Sequence, residues 1–222
     1  MLRKTVWAAA FVVLAASGAY ASDPRAEASL NLGYTGSNGI QSTEVNPNAA
    51  FFEVRPKSSW FWGVDFGYFV NDRFEVGALY AIQKSGLQYT TPAGFKDVGT
   101  GFDVQNIMGT FTFNTGDMRS RTRFYLLGGF GATRFGNVTI IGDNGSVNQV
   151  GGKSKFATTW GAGVKMYPSD RIGWKLGIRW TPTNLGDTAG EWLCGSTTCT
   201  VTGTNTHYSN QVEFSGGITF RF

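Results

Sequence analysis

Charged residues set among apolar neighbours are the first candidates for chemistry in this sequence: Asp65, Glu75, Lys165, Lys175, Arg179, Glu213 and Arg221. Each falls at a position that alternates with large apolar side chains and shares its phase with glycines. Such charges can satisfy one another as a buried ion-pair network, or they can line a polar path for ions and small solutes. Cys194 and Cys199 are the only cysteines, at a spacing unlike the C-x-x-C of redox and zinc sites, and they read as a local disulfide stapling a loop. Asp143-Asn144-Gly145 is a turn signal without the further carboxylates of a calcium loop, and no metal or prosthetic group is expected. The single histidine, His207, stands two residues before Ser209.

These residues are positioned by strands. The closing segment, Tyr208 to Phe222, places Tyr208, Val212, Phe214, Ile218, Phe220 and Phe222 in one phase and Ser209, Gln211, Glu213, Ser215, Thr219 and Arg221 in the other. Successive strand residues point to opposite faces, so one face is apolar and the other polar. The same reading along the chain gives strands from Ala28, from Trp60 to Val70, from Phe74 to Gln83, around Asn106 to Phe113, from Arg121 to Phe135, from Phe156 to Met166 and from Ile172 to Thr181. Asn71-Asp72-Arg73 and Pro168-Ser169-Asp170-Arg171 are tight turns. In the segment from Arg121 the consecutive apolar residues Phe124, Tyr125, Leu126 and Leu127 leave the facing open.

Polar connections near Ser37 to Ser58, Ser85 to Gly101, Gly136 to Lys155 and Pro182 to His207 alternate with short turns. That rhythm fits an all-β, eight-stranded, antiparallel, up-and-down transmembrane barrel with short periplasmic turns and four longer extracellular loops. A soluble barrel would turn its apolar residues inward and its charges outward. Here the charged face is also the glycine-rich face, as a crowded interior requires. Trp60, Trp62, Trp160, Trp174 and Trp180 fall mostly near strand ends on the opposite face, where an interfacial aromatic girdle would sit.

Composition agrees: charged residues make up 15 % of the chain and Gly is abundant at 31, so few faces are wet. Arg3 and Lys4, the apolar run from Val6 to Ala16 and Ala19-Tyr20-Ala21 form a secretory signal peptide over residues 1–21, leaving residues 22–222 as the barrel. Removing those two cations from 19 basic residues against 15 acidic lowers the net charge from +4 to +2, which gives no case for nucleic acid.

Three features carry a resemblance: the signal segment, Gly-Tyr-Phe-Val-Asn-Asp-Arg-Phe-Glu-Val-Gly from Gly67 to Gly77, and the terminal Glu-Phe-Ser-Gly-Gly-Ile-Thr-Phe-Arg-Phe from Glu213 to Phe222. Together they resemble the small bacterial outer-membrane β-barrel proteins, in plan the transmembrane domain of outer-membrane protein A. The resemblance implies a bacterial outer-membrane location, contact with outer-membrane lipid and lipopolysaccharide, and no cofactor. It also implies recognition of Phe214, Ile218, Phe220 and Phe222 by the barrel-insertion machinery, and a plan lacking the peptidoglycan-binding domain of some relatives. The role it implies is structural or surface-exposed through the loops, non-enzymatic, with a narrow porin-like passive pore as the alternative.

A second, narrower resemblance lies in His207-Tyr208-Ser209-Asn210, which is similar to the His-x-Ser-Asn motif of the outer-membrane lipid A deacylase. It implies Ser209 as nucleophile, His207 as base and a carboxylate such as Glu213 as orienter. In that family the acid lies on the next strand, and the alternation turns His207 and Ser209 toward the interior whereas acyl chains approach from outside.

Overall fold

The computed structural model describes residues 25–38, 40–41, 53–91, 94–117, 120–141, 147–186 and 208–222. The signal segment 1–21, Cys194, Cys199, the Asp143-Asn144-Gly145 turn and His207 lie outside the described residues. In chain order the strands are β1 (Ala26–Ser37), β2 (Ile40–Gln41), β3 (Glu53–Pro56), β4 (Ser59–Phe69), β5 (Phe74–Gln83), β6 (Gly86–Thr91) and β7 (Gly94–Thr100). They continue with β8 (Val104–Asn114), β9 (Thr122–Phe135), β10 (Asn137–Ile141), β11 (Val147–Gly151), β12 (Ser154–Met166), β13 (Ile172–Asn184) and β14 (Tyr208–Arg221).

Eight of them close into one antiparallel barrel in the order β1-β14-β13-β12-β9-β8-β5-β4. Closure pairs the first strand with the last, Tyr34 opposite Phe214 and Glu27 opposite Arg221, which removes the free sheet edge. Following one rung from Leu30 through Val64, Tyr80, Ile107, Ala132 and Phe156, and on along the remaining registers, returns about ten residues further along the line of β1. That stagger tilts the strands, and eight tilted strands enclose a space only wide enough for side chains.

The outer wall is greasy. Leu30, Phe66, Phe111, Phe124, Phe130, Leu176 and Phe214 are all exposed, while the alternate positions Glu27, Asn31, Arg123, Lys165, Lys175 and Glu213 are buried. In β9 the open facing resolves in favour of the even positions: Leu126 is 61 % exposed and Tyr125 only 6 %. Tyr125 can turn inward because Gly163 and Gly177 have no Cβ where its ring lies.

The turn at Asn71 is held by its own side chain, whose Oδ1 accepts from the amides of Arg73 at 3.0 Å and Phe74 at 2.9 Å. Ser169 Oγ does the same for the amide of Ile172 at 3.0 Å. At the other end the structure corrects three of the polar connections. Residues 40–41, 53–56, 86–91 and 94–100 form a four-stranded sheet in the order β2-β3-β6-β7, and residues 137–141 pair with 147–151 as a hairpin. These segments mix glycine, polar and single apolar residues, so no apolar phase marks them in the sequence, and pairing between backbones holds them.

Candidate functional site

The concentrated chemistry lies inside the tube, in three tiers. Nearest the short turns, Glu27 Oε1 accepts from Arg123 at 2.6 Å, Tyr167 Oη at 2.5 Å and Arg221 Nε at 2.8 Å, and Glu27 Oε2 accepts from Lys165 Nζ at 2.6 Å. Lys165 also reaches Glu75 Oε2 at 2.8 Å, to which Asn114 Nδ2 donates at 3.4 Å. Arg123 is wholly buried, with the rings of Phe69 and Tyr167 at 5.1 and 5.2 Å from its guanidinium carbon. Those ring faces solvate the cation where water cannot reach it.

The middle tier holds the Asp65-Lys175 ion pair, with Asn31 Nδ2 donating to Asp65 Oδ2 at 3.0 Å and the Tyr125 ring 5.2 Å from Lys175 Nζ. Toward the loops, Arg179 pairs with Glu213. Asn106 donates to Gln211 Oε1 at 3.1 Å and to Glu213 Oε1 at 3.4 Å, and accepts from Thr133 Oγ1 at 2.7 Å. Gln211 Nε2 in turn donates to Gln83 Oε1 at 3.1 Å. Beside this network sits an apolar cluster of Phe61, Leu79, Ala81, Met108 and Ala157. A cavity of about 20 Å³ remains between the tiers, bordered by Asn31, Asp65, Tyr125, Lys175 and Arg179. It has room for about one water molecule.

All seven charged residues singled out from the sequence face this interior, and every one has an oppositely charged partner there. Three participants escape a reading by alternation. Glu27 precedes the first recognisable apolar residue of β1 by one position, Arg123 stands beside the ambiguous apolar run, and Tyr167 follows the end of β12. Extending each strand's phase by one residue would have found Glu27 and Tyr167.

Outside, Trp60, Trp62, Trp160, Trp174 and Trp180 all face away from the lumen. Trp160 and Trp180 are register partners toward the loop end, Trp60 lies edge-on to Tyr34 there, and Trp174 stands opposite Met166 near the short turns. Of the strand residues that could serve acyl chemistry, Ser209 is buried in the lumen with Oγ 3.4 Å from the carbonyl of Asn38. Glu213 is engaged by Arg179 and Asn106.

A closed eight-stranded tube with an apolar outer wall and its charges inside satisfies every backbone group in hydrocarbon, the condition for crossing a membrane with strands. The sequence matches the family described as outer membrane protein beta-barrel domain over residues 7–222. The chain belongs to that family. No curated protein matches it. Among solved structures, Neisserial surface protein A is similar at 15 % identity, covering 89 % of this chain and 97 % of that one with a TM-score of 0.53. OprG of Pseudomonas aeruginosa is similar at 10 % identity, 90 % and 98 % coverage and a TM-score of 0.54. AlkL, solved in lipid bilayers, is similar at 14 % identity, 91 % and 92 % coverage and the same TM-score. At these identities the likeness establishes the barrel. The protein is thus a bacterial outer-membrane β-barrel with its short turns in the periplasm and its longer connections outside.

Proposed function

We propose that this barrel is a closed, non-enzymatic membrane protein whose role is structural or lies in its extracellular loops. One observation carries the reading: three successive tiers of paired side chains cross the lumen, and the cavity beside the middle and loop-side tiers measures about 20 Å³. A continuous water column needs far more room than one water site. Single-channel recording of purified protein in planar bilayers tests it. No steps above background are expected, and sustained steps would replace this reading with the narrow passive pore, in which the ion pairs rearrange to admit solute.

The inward position of Ser209 and the pairing of Glu213 with Arg179 argue against lipid A deacylation, since neither group meets an acyl chain arriving from the bilayer. Ser209→Ala in an expressing cell should leave the lipid A mass spectrum unchanged; a shift toward fuller acylation would revive the enzyme. The apolar wall suits outer-membrane lipid and lipopolysaccharide. The outward-facing Phe214, Ile218 and Phe220 suit capture by the insertion machinery.

A further inference from the structure

The lipid-facing wall carries a single charge. The outward positions of the eight barrel strands are the even-numbered residues of β1, β4, β5, β9, β12, β13 and β14 and the odd-numbered residues of β8, and only Arg134 among them is ionic. Arg134 is exposed near the loop end of β9 between the buried Thr133 and Phe135, so its guanidinium leaves the barrel on the lipid side. Its rung runs from Trp62 through Ile82 and Gln105 to Arg134 and on to Ser154. Because a rung climbs about ten residues over eight strands, it rises by about four over the three steps from β4 to β9. Arg134 therefore stands roughly 9 Å nearer the loops than Trp62, at headgroup depth above the aromatic girdle.

Among the described residues no carboxylate pairs with this cation. Asp103 comes near it at the end of β8, where its carbonyl accepts from the amide of Gly136 at 2.7 Å, but its carboxylate is held by Lys84. Two cations and one anion leave a positive charge over. Gln105 and Ser154 flank Arg134 as rung neighbours and bring an amide and a hydroxyl to the same face. On the next rung toward the membrane centre, Ala132 lies between Ile107 and Phe156, both more than half exposed, which leaves a shallow apolar notch below the guanidinium. A fork of N–H donors over an apolar notch fits an amphiphile with a phosphate head and a hydrocarbon tail. We propose that Arg134, with Gln105 and Ser154, binds a phosphate of lipid A, the acylated anchor of lipopolysaccharide, with an acyl chain lying over Ala132. The proposal rests on the reading that the outer wall meets lipopolysaccharide and assigns that contact to one place on it.

Native mass spectrometry of the purified full-length protein in dodecylmaltoside, titrated with bisphosphorylated lipid A, tests the site. The wild type should retain lipid A in preference to its dephosphorylated form, and Arg134→Gln should lose about tenfold or more in affinity for lipid A while holding the dephosphorylated form as before. Arg134→Lys should keep part of the affinity, since the charge remains without the fork. Arg73→Gln, at an exposed periplasmic turn, should bind as the wild type does. Equal retention of lipid A by Arg134→Gln, or an equal loss in Arg73→Gln, overturns the proposal. So does displacement of lipid A by inorganic phosphate at equal concentration, which would make this a site for the free anion. A wild type that holds lipid A and its dephosphorylated form alike keeps the lipid-facing wall but overturns the phosphate site; one that holds neither overturns both. Heat-modifiable gel migration of Arg134→Gln should be unchanged, because the backbone of the rung is untouched. If that variant fails to fold, Gln105→Ala with Ser154→Ala should lose about threefold, and affinity equal to the wild type overturns the proposal as well.

Discussion

Glu27 on β1 accepts a 2.6 Å hydrogen bond from Arg123 on β9, 96 residues further along the chain and half-way round the barrel. The two side chains therefore span the tube, and Lys165 and Arg221 join the same carboxylate. Removing that carboxylate takes a counter-charge from three buried cations, Arg123, Lys165 and Arg221. Glu27→Gln should lower stability by about 3–5 kcal/mol, the cost of leaving buried charge unpaired. Urea unfolding in micelles measures it, and a shift within experimental scatter would mean that the cluster is hydrated.

The lipid-facing wall makes a depth-dependent prediction. Leu126, exposed near the middle of β9, should cost about 2–4 kcal/mol when replaced by Arg, whereas Tyr208→Arg at the loop end of β14 should cost about 0–1 kcal/mol. Equal penalties at the two sites would contradict the placement of the hydrocarbon.

Tyr125 lies across Gly163 and Gly177, and a Cβ at Gly177 would fall on its hydroxyl. Gly177→Ala should destabilise the barrel by about 1–3 kcal/mol through overpacking. Adding Tyr125→Phe, which takes away the oxygen, should recover part of the loss. A strictly additive double-mutant cycle would show that the ring does not meet this glycine.

Outside the membrane, Asp97 on β7 accepts from Lys57 Nζ at 2.8 Å and from Gln88 Nε2 at 2.8 Å. The hydrogen bond from Lys57 is the main reason its carboxyl titrates below the ordinary range, with Gln88 adding to it. A depressed folded-state pKa stabilises above the unfolded value and ceases to as pH falls through the folded one. Amide protection in β6 and β7, taken relative to the intrinsic exchange rate at each pH, should therefore fall below about pH 4 while barrel unfolding is unaffected. In Asp97→Asn that acid-dependent step should vanish; its persistence would place the titrating group elsewhere.

Strand alternation makes the barrel strands legible in the sequence because lipid and lumen sort residues by opposite rules on opposite faces. It places Asp65, Lys175, Arg179 and Glu213 on the inner wall, but period two says which wall a residue faces and not whom it meets. Which charge pairs with which depends on the stagger between distant strands, so the reach of Glu27 to Arg123 and Lys165 emerges only from the closed tube. The apolar cluster about Phe61 and Met108 is hidden for another reason: Phe61, Leu79 and Met108 each stand next to lipid-facing apolar residues and so mark no inner phase, and Leu79 meets Met108 only through the β5-β8 register. The β2-β3-β6-β7 sheet is obscure because its strands lie outside the lipid-sorted wall.

The seam where β1 meets β14 has a kinetic consequence. The Glu27-Arg221 contact joins residues 194 apart, so the loop that must close before this ion cluster can form is nearly as long as the domain itself. Such distant pairings are slow to nucleate, so the bond from Arg221 to Glu27 is among the last of the first tier to form. The barrel should therefore stay open and sensitive to protease until its final rungs lock, and maturation should end in one late, cooperative step.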